Sequence, residues 1–89
     1  MLRNKPTYIS TQTTTHIEPI GSETIIHTVI IPKTTSGTVT FQSLAATPVV
    51  YFVLPAATIA DSYLFDSVCG NGLDVVTSAG DVVIVNTAS

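Results

Sequence analysis

Nine charged side chains among 89 residues, 10% of the chain with a net charge of −3, stand against a usual charged share of about 25%. Arg3, Lys5 and Lys33 are the only lysines and arginines, too few for the basic footprint that DNA or RNA binding needs. A chain this short buries only about 60–65% of the surface it exposes when unfolded. With a single cysteine, Cys69, it has no internal disulfide, so oligomerisation is the expected support.

Thr, Val and Ile together make 35 of the 89 residues. Branched side chains suit a pleated surface, so the fold class is all-β. A surface so poor in charge is expected to be threonine-rich or covered by other protein. The opening MLRNKPTYIS lacks the apolar core of a signal peptide. Leu44–Ala60 is the most membrane-like segment, but Pro48 and Pro55 interrupt it and a span wants about 20 residues. The expectation is a soluble protein made in the cytoplasm, with no membrane partner.

Residues 1–18 show no sustained apolar period and are assigned to an extended N-terminal arm, with 19–89 as a single β domain. Two readings of the arm stand side by side. It is a frayed end, or it docks on a neighbouring subunit through Arg3, Lys5, Tyr8 and Ile9, adding an edge strand. Glu18–Ser22 is a turn around Gly21.

Thr24–Ile31 is apolar on both alternation sets. Ile25, Val29 and Ile31 fall on one face with His27, and Ile26 and Ile30 on the other with Thr28. Such a strand is expected to be covered on both sides. After Pro32 and a KTTSG turn, Thr38–Leu44 alternates, with Val39 and Phe41 inward. Ala45–Pro48 is a short connection, Val49–Leu54 reads as a central strand, and Ala56–Asp61 as a loop.

Tyr63–Asn86 reads as a three-stranded meander. Gly70-Asn71-Gly72 supplies a hairpin turn with φ > 0, and Ser78–Asp81 turns the chain again. Asp66 and Ser67 suggest a bulge. Six to seven strands in all point to a small antiparallel β-sandwich or barrel. No stretch has a helical period, and no repeat is visible.

Catalytic chemistry finds little footing. His16 and His27 have no cysteine at zinc spacing, and His27 within an apolar strand reads as a half-buried, hydrogen-bonded histidine. No serine lies in a Gly-x-Ser-x-Gly elbow. Gly70–Gly72 lacks the helix and Lys-Ser/Thr of a phosphate loop. Asp66, Asp74 and Asp81 do not cluster as a calcium loop does; Asp74 reads as a solvated face and Asp81 as a turn residue. Cys69, with no cation near it in sequence, reads as a small packed hydrophobe. The chain is not expected to be an enzyme, nor to use a cofactor, metal or small-molecule substrate.

Several segments nevertheless carry a likeness. Tyr63-Leu64-Phe65-Asp66, then Asn71–Ala79 (NGLDVVTSA) and Asp81–Val85 (DVVIV), together with the preceding GTVTFQSLAATPVVYFVLPA, resemble small virion-associated proteins of tailed bacteriophages. The likeness covers about residues 37–86 and leaves the arm outside it. It implies a structural protein of the particle, a capsid cement or decoration protein on the capsid surface of the virion. Its partners would be the major capsid protein and copies of itself, with a homotrimer favoured. Two alternatives stay open: a tail, neck or fibre-associated virion protein, and a receptor- or carbohydrate-binding module. No catalytic residue is implied.

Overall fold

The runs of branched residues become strands in a computed structural model, which describes residues 4–18, 21, 23–44 and 47–88. In chain order these are β1 (Asn4–Ile9), β2 (Thr13–Glu18), β3 (Thr24–Ile31), β4 (Val39–Gln42), β5 (Val50–Leu54), β6 (Asp61–Cys69), β7 (Leu73–Thr77) and β8 (Val83–Ala88). Among the described residues there are thus eight strands, where the sequence suggests six to seven, and no helix.

The pairing follows one rule. Antiparallel ladders join β1 to β8, β2 to β7, β3 to β6 and β4 to β5. The chain is therefore one long hairpin, doubled back between β4 and β5. This two-chain ribbon then wraps, and β3–β8 and β4–β7 ladders close its gaps. The result is two four-stranded sheets, ordered β1-β8-β3-β6 and β2-β7-β4-β5. Both are open sheets with two edges each, not a closed barrel.

Three readings of the sequence are corrected here. Residues 4–18 are extended, but they do not stand apart from the domain. β1 and β2 are the end strands of the two sheets, paired along their length with β8 and β7. The domain therefore does not begin at residue 19. The meander is also replaced. β6 and β8 lie in one sheet and β7 in the other, so Gly70–Gly72 carries the chain between sheets rather than closing a hairpin; of that trio only Gly72 takes positive φ, at 75°. Finally, β5 is an edge strand and not a central one. Its apolar run is half exposed, with Val50 and Val53 facing out.

Inner positions of both sheets meet in one core. Ile26, Val29 and Ile31 of β3, Val39 and Phe41 of β4, Leu73 and Val75 of β7, and Val83 and Val85 of β8 are all buried. Each such side chain contributes about 1.5–3 kcal/mol relative to exposure. The Phe65 ring of β6 meets Phe41 of the opposite sheet edge-on, with centroids 5.9 Å apart, and lies 4.8 Å from Phe52.

Burial on β3 corrects the face assignment. Ile26 shares the core with Val29 and Ile31, while Ile25 and Ile30 are on the outer face. An odd spacing on one face of a strand requires an extra residue, and the ladders to β6 and β8 both shift register between Ile26 and Thr28. A β-bulge at His27 thus switches the alternation. The expected irregularity at Asp66 is its counterpart on β6, where Asp66 takes φ 47°.

The connections are tied to one another at both ends. The Asn71 side chain accepts from Gly21 N at 2.9 Å, and its carbonyl accepts from Leu44 N at 3.1 Å. At the other end, Asp81 accepts from Ser36 N at 2.8 Å and Gly37 N at 2.9 Å, and Thr38 N donates to Ser78 Oγ at 2.7 Å. A Cβ on Gly37 would collide with Ser78 and Ala79 in this clasp. The predicted turn residues Pro19, Ile20 and Ser22, and Ala45 and Ala46 of the β4–β5 connection, lie outside the described residues.

Candidate functional site

Of the four residues singled out for partner binding, the three that are described do not share one face. Arg3 lies outside the described residues. Lys5 Nζ donates to Glu18 Oε1 at 3.2 Å, linking β1 to β2 across the two sheets. Tyr8 and Ile9 are neighbours on a strand and so point to opposite faces. Tyr8 is 65% exposed, whereas Ile9 is 3% exposed and belongs to the core.

Tyr8 leads to a larger feature. Across the β1-β8-β3-β6 sheet it lies opposite Ile84, which lies opposite Ile30. Two rows on, Asn86 Nδ2 donates to Thr28 Oγ1 at 2.9 Å, and Thr28 is the register partner of Leu64. At the strand ends Ile25 is paired with Val68. Leu64 and Val68 are both well exposed. The outer face of this sheet is thus largely aliphatic, with a threonine–asparagine pair at its centre.

One ionisable pair sits on it. His27 Nδ1 is hydrogen-bonded to Asp66 Oδ1 at 2.5 Å, with both side chains about half exposed. They meet at the register shift between β3 and β6, where His27 lies opposite Phe65 and Asp66 and the outward-facing Asp66 is within its reach. The expectation of a half-buried, hydrogen-bonded His27 agrees with this geometry. A partner 39 residues away had no signal in the sequence, because only the register of β3 against β6 defines it.

The opposite outer face, on β2-β7-β4-β5, is more polar. Thr14, Val76, Thr40 and Val53 form one cross-strand row. His16 and Asp74 are register partners in the next, and their side chains are hydrogen-bonded. Asp74 is buried, which corrects its reading as a solvated residue. The exposed His16 ring covers it, and β4 flanks it on the other side.

Each imidazole therefore bears a carboxylate on its Nδ1, an arrangement that orients the ring. Among the described residues no hydroxyl or thiol is hydrogen-bonded to either ring, and no group of three or more His, Cys, Asp or Glu could hold a metal ion. Cys69 faces Thr24 inside the domain, and burial pushes its thiol up to about 11. The expected packed hydrophobe is what the structure contains.

Two clefts lie among the described residues. One, about 230 Å³, lies where β5 begins and is lined by Ser43, Val49, Tyr51, Gly70 and Asn71. The other, about 370 Å³, lies beside the Asp81 clasp, between Lys33, Ser36 and Val82. Neither gathers a set of convergent catalytic groups. The dominant feature is exposed aliphatic surface: among the described residues, six of the seven large exposed hydrophobic residues (Val49, Val50, Val53, Ile59, Leu64 and Val68) fall on β5, β6 and the segments beside them.

Comparison of the chain with protein-family models and with curated proteins finds no match.

Proposed function

We propose that this chain is a structural protein of a phage virion, a cement or decoration protein that binds the major capsid protein and copies of itself at the capsid surface, its two sheets packed as a β-sandwich. The observation that carries the reading is the strand order. Orders 1-8-3-6 and 2-7-4-5, produced by a wrapped hairpin, are the connectivity of an eight-stranded jelly roll, an architecture used by viral capsid and lectin domains. Architecture alone is an analogy, and surface chemistry adds to it. An aliphatic outer face bearing Tyr8, Ile84, Ile30, Leu64 and Val68, on a domain with so little charge, suits burial against protein.

The physical mechanism is area repeated over many copies. Each apolar patch stabilises the contact by about 25 cal/mol per Å² removed from water, and copies bound around a shell reinforce it jointly. The second reading, a carbohydrate-binding module, draws on the same architecture and on the cleft beside Tyr51.

Cosedimentation with empty capsids of tailed phages tests the proposal. Wild-type protein is expected to pellet with shells in numbers on the order of hundreds per particle, as a decoration role requires, whereas about six or twelve would indicate a tail or neck. A Tyr8→Asp, Leu64→Asp variant should fold and stay in the supernatant. Wild-type protein that never pellets, yet melts at higher temperature with an oligosaccharide present, would replace this reading with the second.

A further inference from the structure

The four sheet edges are not alike. An exposed edge is open to pairing with another chain, and proteins block it with charge, proline or bulges that twist it away. β1 carries Lys5 and Pro6. β2 carries His16 and Glu18 and shifts register between them. β6 carries Asp61 and Asp66, the latter at a bulge with φ 47°.

β5, Val50–Leu54, has neither charge nor proline. Its one irregularity leaves Tyr51 as an extra residue against β4, and the Tyr51 hydroxyl is turned to Gly72 O at 3.2 Å. No Asp, Glu, Lys, Arg or His occurs anywhere from Thr34 to Ala60. Among the described residues, the segment after β5 sends none of its backbone hydrogen bonds to β5. It is held on the β3–β4 connection, with Ala57 N donating to Thr35 O and Thr35 N to Thr58 O.

We infer that β5 pairs antiparallel with β5 of a second copy of this chain across a two-fold axis, joining two β2-β7-β4-β5 sheets into one of eight strands. The choice of a second copy rests on charge. In a two-fold contact residue i of one copy meets j of the other and j meets i, so an edge bearing Asp61 and Asp66, as β6 does, brings like charge towards like charge, while the uncharged, apolar β5 edge is self-complementary. The contact is confined to the β5 edge: its five residues, at about 3.4 Å each, make a strand about 17 Å long, so main-chain hydrogen bonds between two unguarded edges carry it rather than a large buried area. This contact is two-fold where the family likeness suggests a trimer. It stands independently of the virion reading.

Light scattering on purified full-length protein, with sedimentation velocity over a dilution series, tests it. Wild-type protein is expected at twice the 9.3 kDa chain mass at about 100 µM and to dissociate on dilution, as a contact this small is a weak, transient one. Val53→Lys and Val50→Lys change exposed positions on β5, so each should stay folded by circular dichroism and weaken the dimer by tenfold or more. Thr14→Lys, at the far end of the same cross-strand row as Val53, should stay dimeric. A monomeric or trimeric wild type overturns the inference. So does a Val53→Lys dimer as tight as wild type, or equal loss with Thr14→Lys, which would locate the contact on the sheet face. A monomer that still pellets with empty capsids would overturn only the pairing, and a β5 dimer that ignores them only the virion role.

Discussion

The carboxylate of Asp81 holds two backbone N–H groups of the β3–β4 connection, those of Ser36 and Gly37, and also accepts from the Ser36 hydroxyl at 3.0 Å. The two backbone donors, chiefly, hold its carboxyl below the usual range. The folded chain therefore binds that proton less readily than the unfolded chain does. Stability from this contact is complete above the unfolded value, near pH 4, and is lost as pH falls through the lower folded value. Asp81→Ala is expected to lower the melting temperature by a few degrees, ~5 °C, at pH 7. That gap should begin to shrink as pH falls below about 4 and close only below the lower folded value, where the wild-type carboxylate is protonated too. A gap independent of pH would mean that the side chain acts by packing. The turn role of Asp81 was legible in SAGD; its hold on a loop 44 residues away was not, because nothing local encodes it.

Among the elements, β1 and β2 changed standing most. Neither has the apolar alternation of a core strand: β1 interleaves Lys5, Pro6 and Thr7 with Tyr8 and Ile9, and β2 begins Thr13-Thr14-Thr15. An end strand needs apolar side chains on one face only and pairs on one side only. Such a strand reads as a free segment until its partner is known. Ile9 is the residue that secures β1, since it is buried opposite Val83. Deleting residues 1–15 removes β1 and half of β2 and uncovers β8 and β7. The truncated chain is expected to lose cooperative thermal unfolding, followed by circular dichroism, whereas a detached arm would leave the melt unchanged. β5 erred in the opposite sense. Val49–Leu54 is continuous enough for a buried strand, yet its outer side chains have no layer over them in the single chain.

At the scale of the whole molecule, the wrapped hairpin makes first and last strands neighbours: β1 pairs with β8, Asn4 opposite Ala88. Nearly every ladder is long-range, so the core closes only when the entire chain is in place. Cys69 reports that closure. It is fully buried, and its thiol, pushed up to about 11, has almost no thiolate at neutral pH. Native protein is expected to resist iodoacetamide for hours at about pH 7.5 and to take up one equivalent in denaturant, read by mass spectrometry. Rapid labelling under native conditions would mean that β3 and β6 separate locally without global unfolding.

Composition and periodicity determined the all-β class, the alternation of β4, the irregularity at Asp66 and the packed state of Cys69. Each depends on neighbours a few residues away, where side-chain branching, a two-residue repeat or a left-handed turn acts directly on the backbone. Strand partners, by contrast, were decided by tertiary structure alone. Glycine-rich turns serve equally to close a hairpin or to carry a chain between sheets, and the difference lies in which distant strand offers a ladder. The same holds for His27 with Asp66 and His16 with Asp74. Neither pair is adjacent until register aligns it, and register is set by burying Ile26, Phe41, Leu73 and Val85 together.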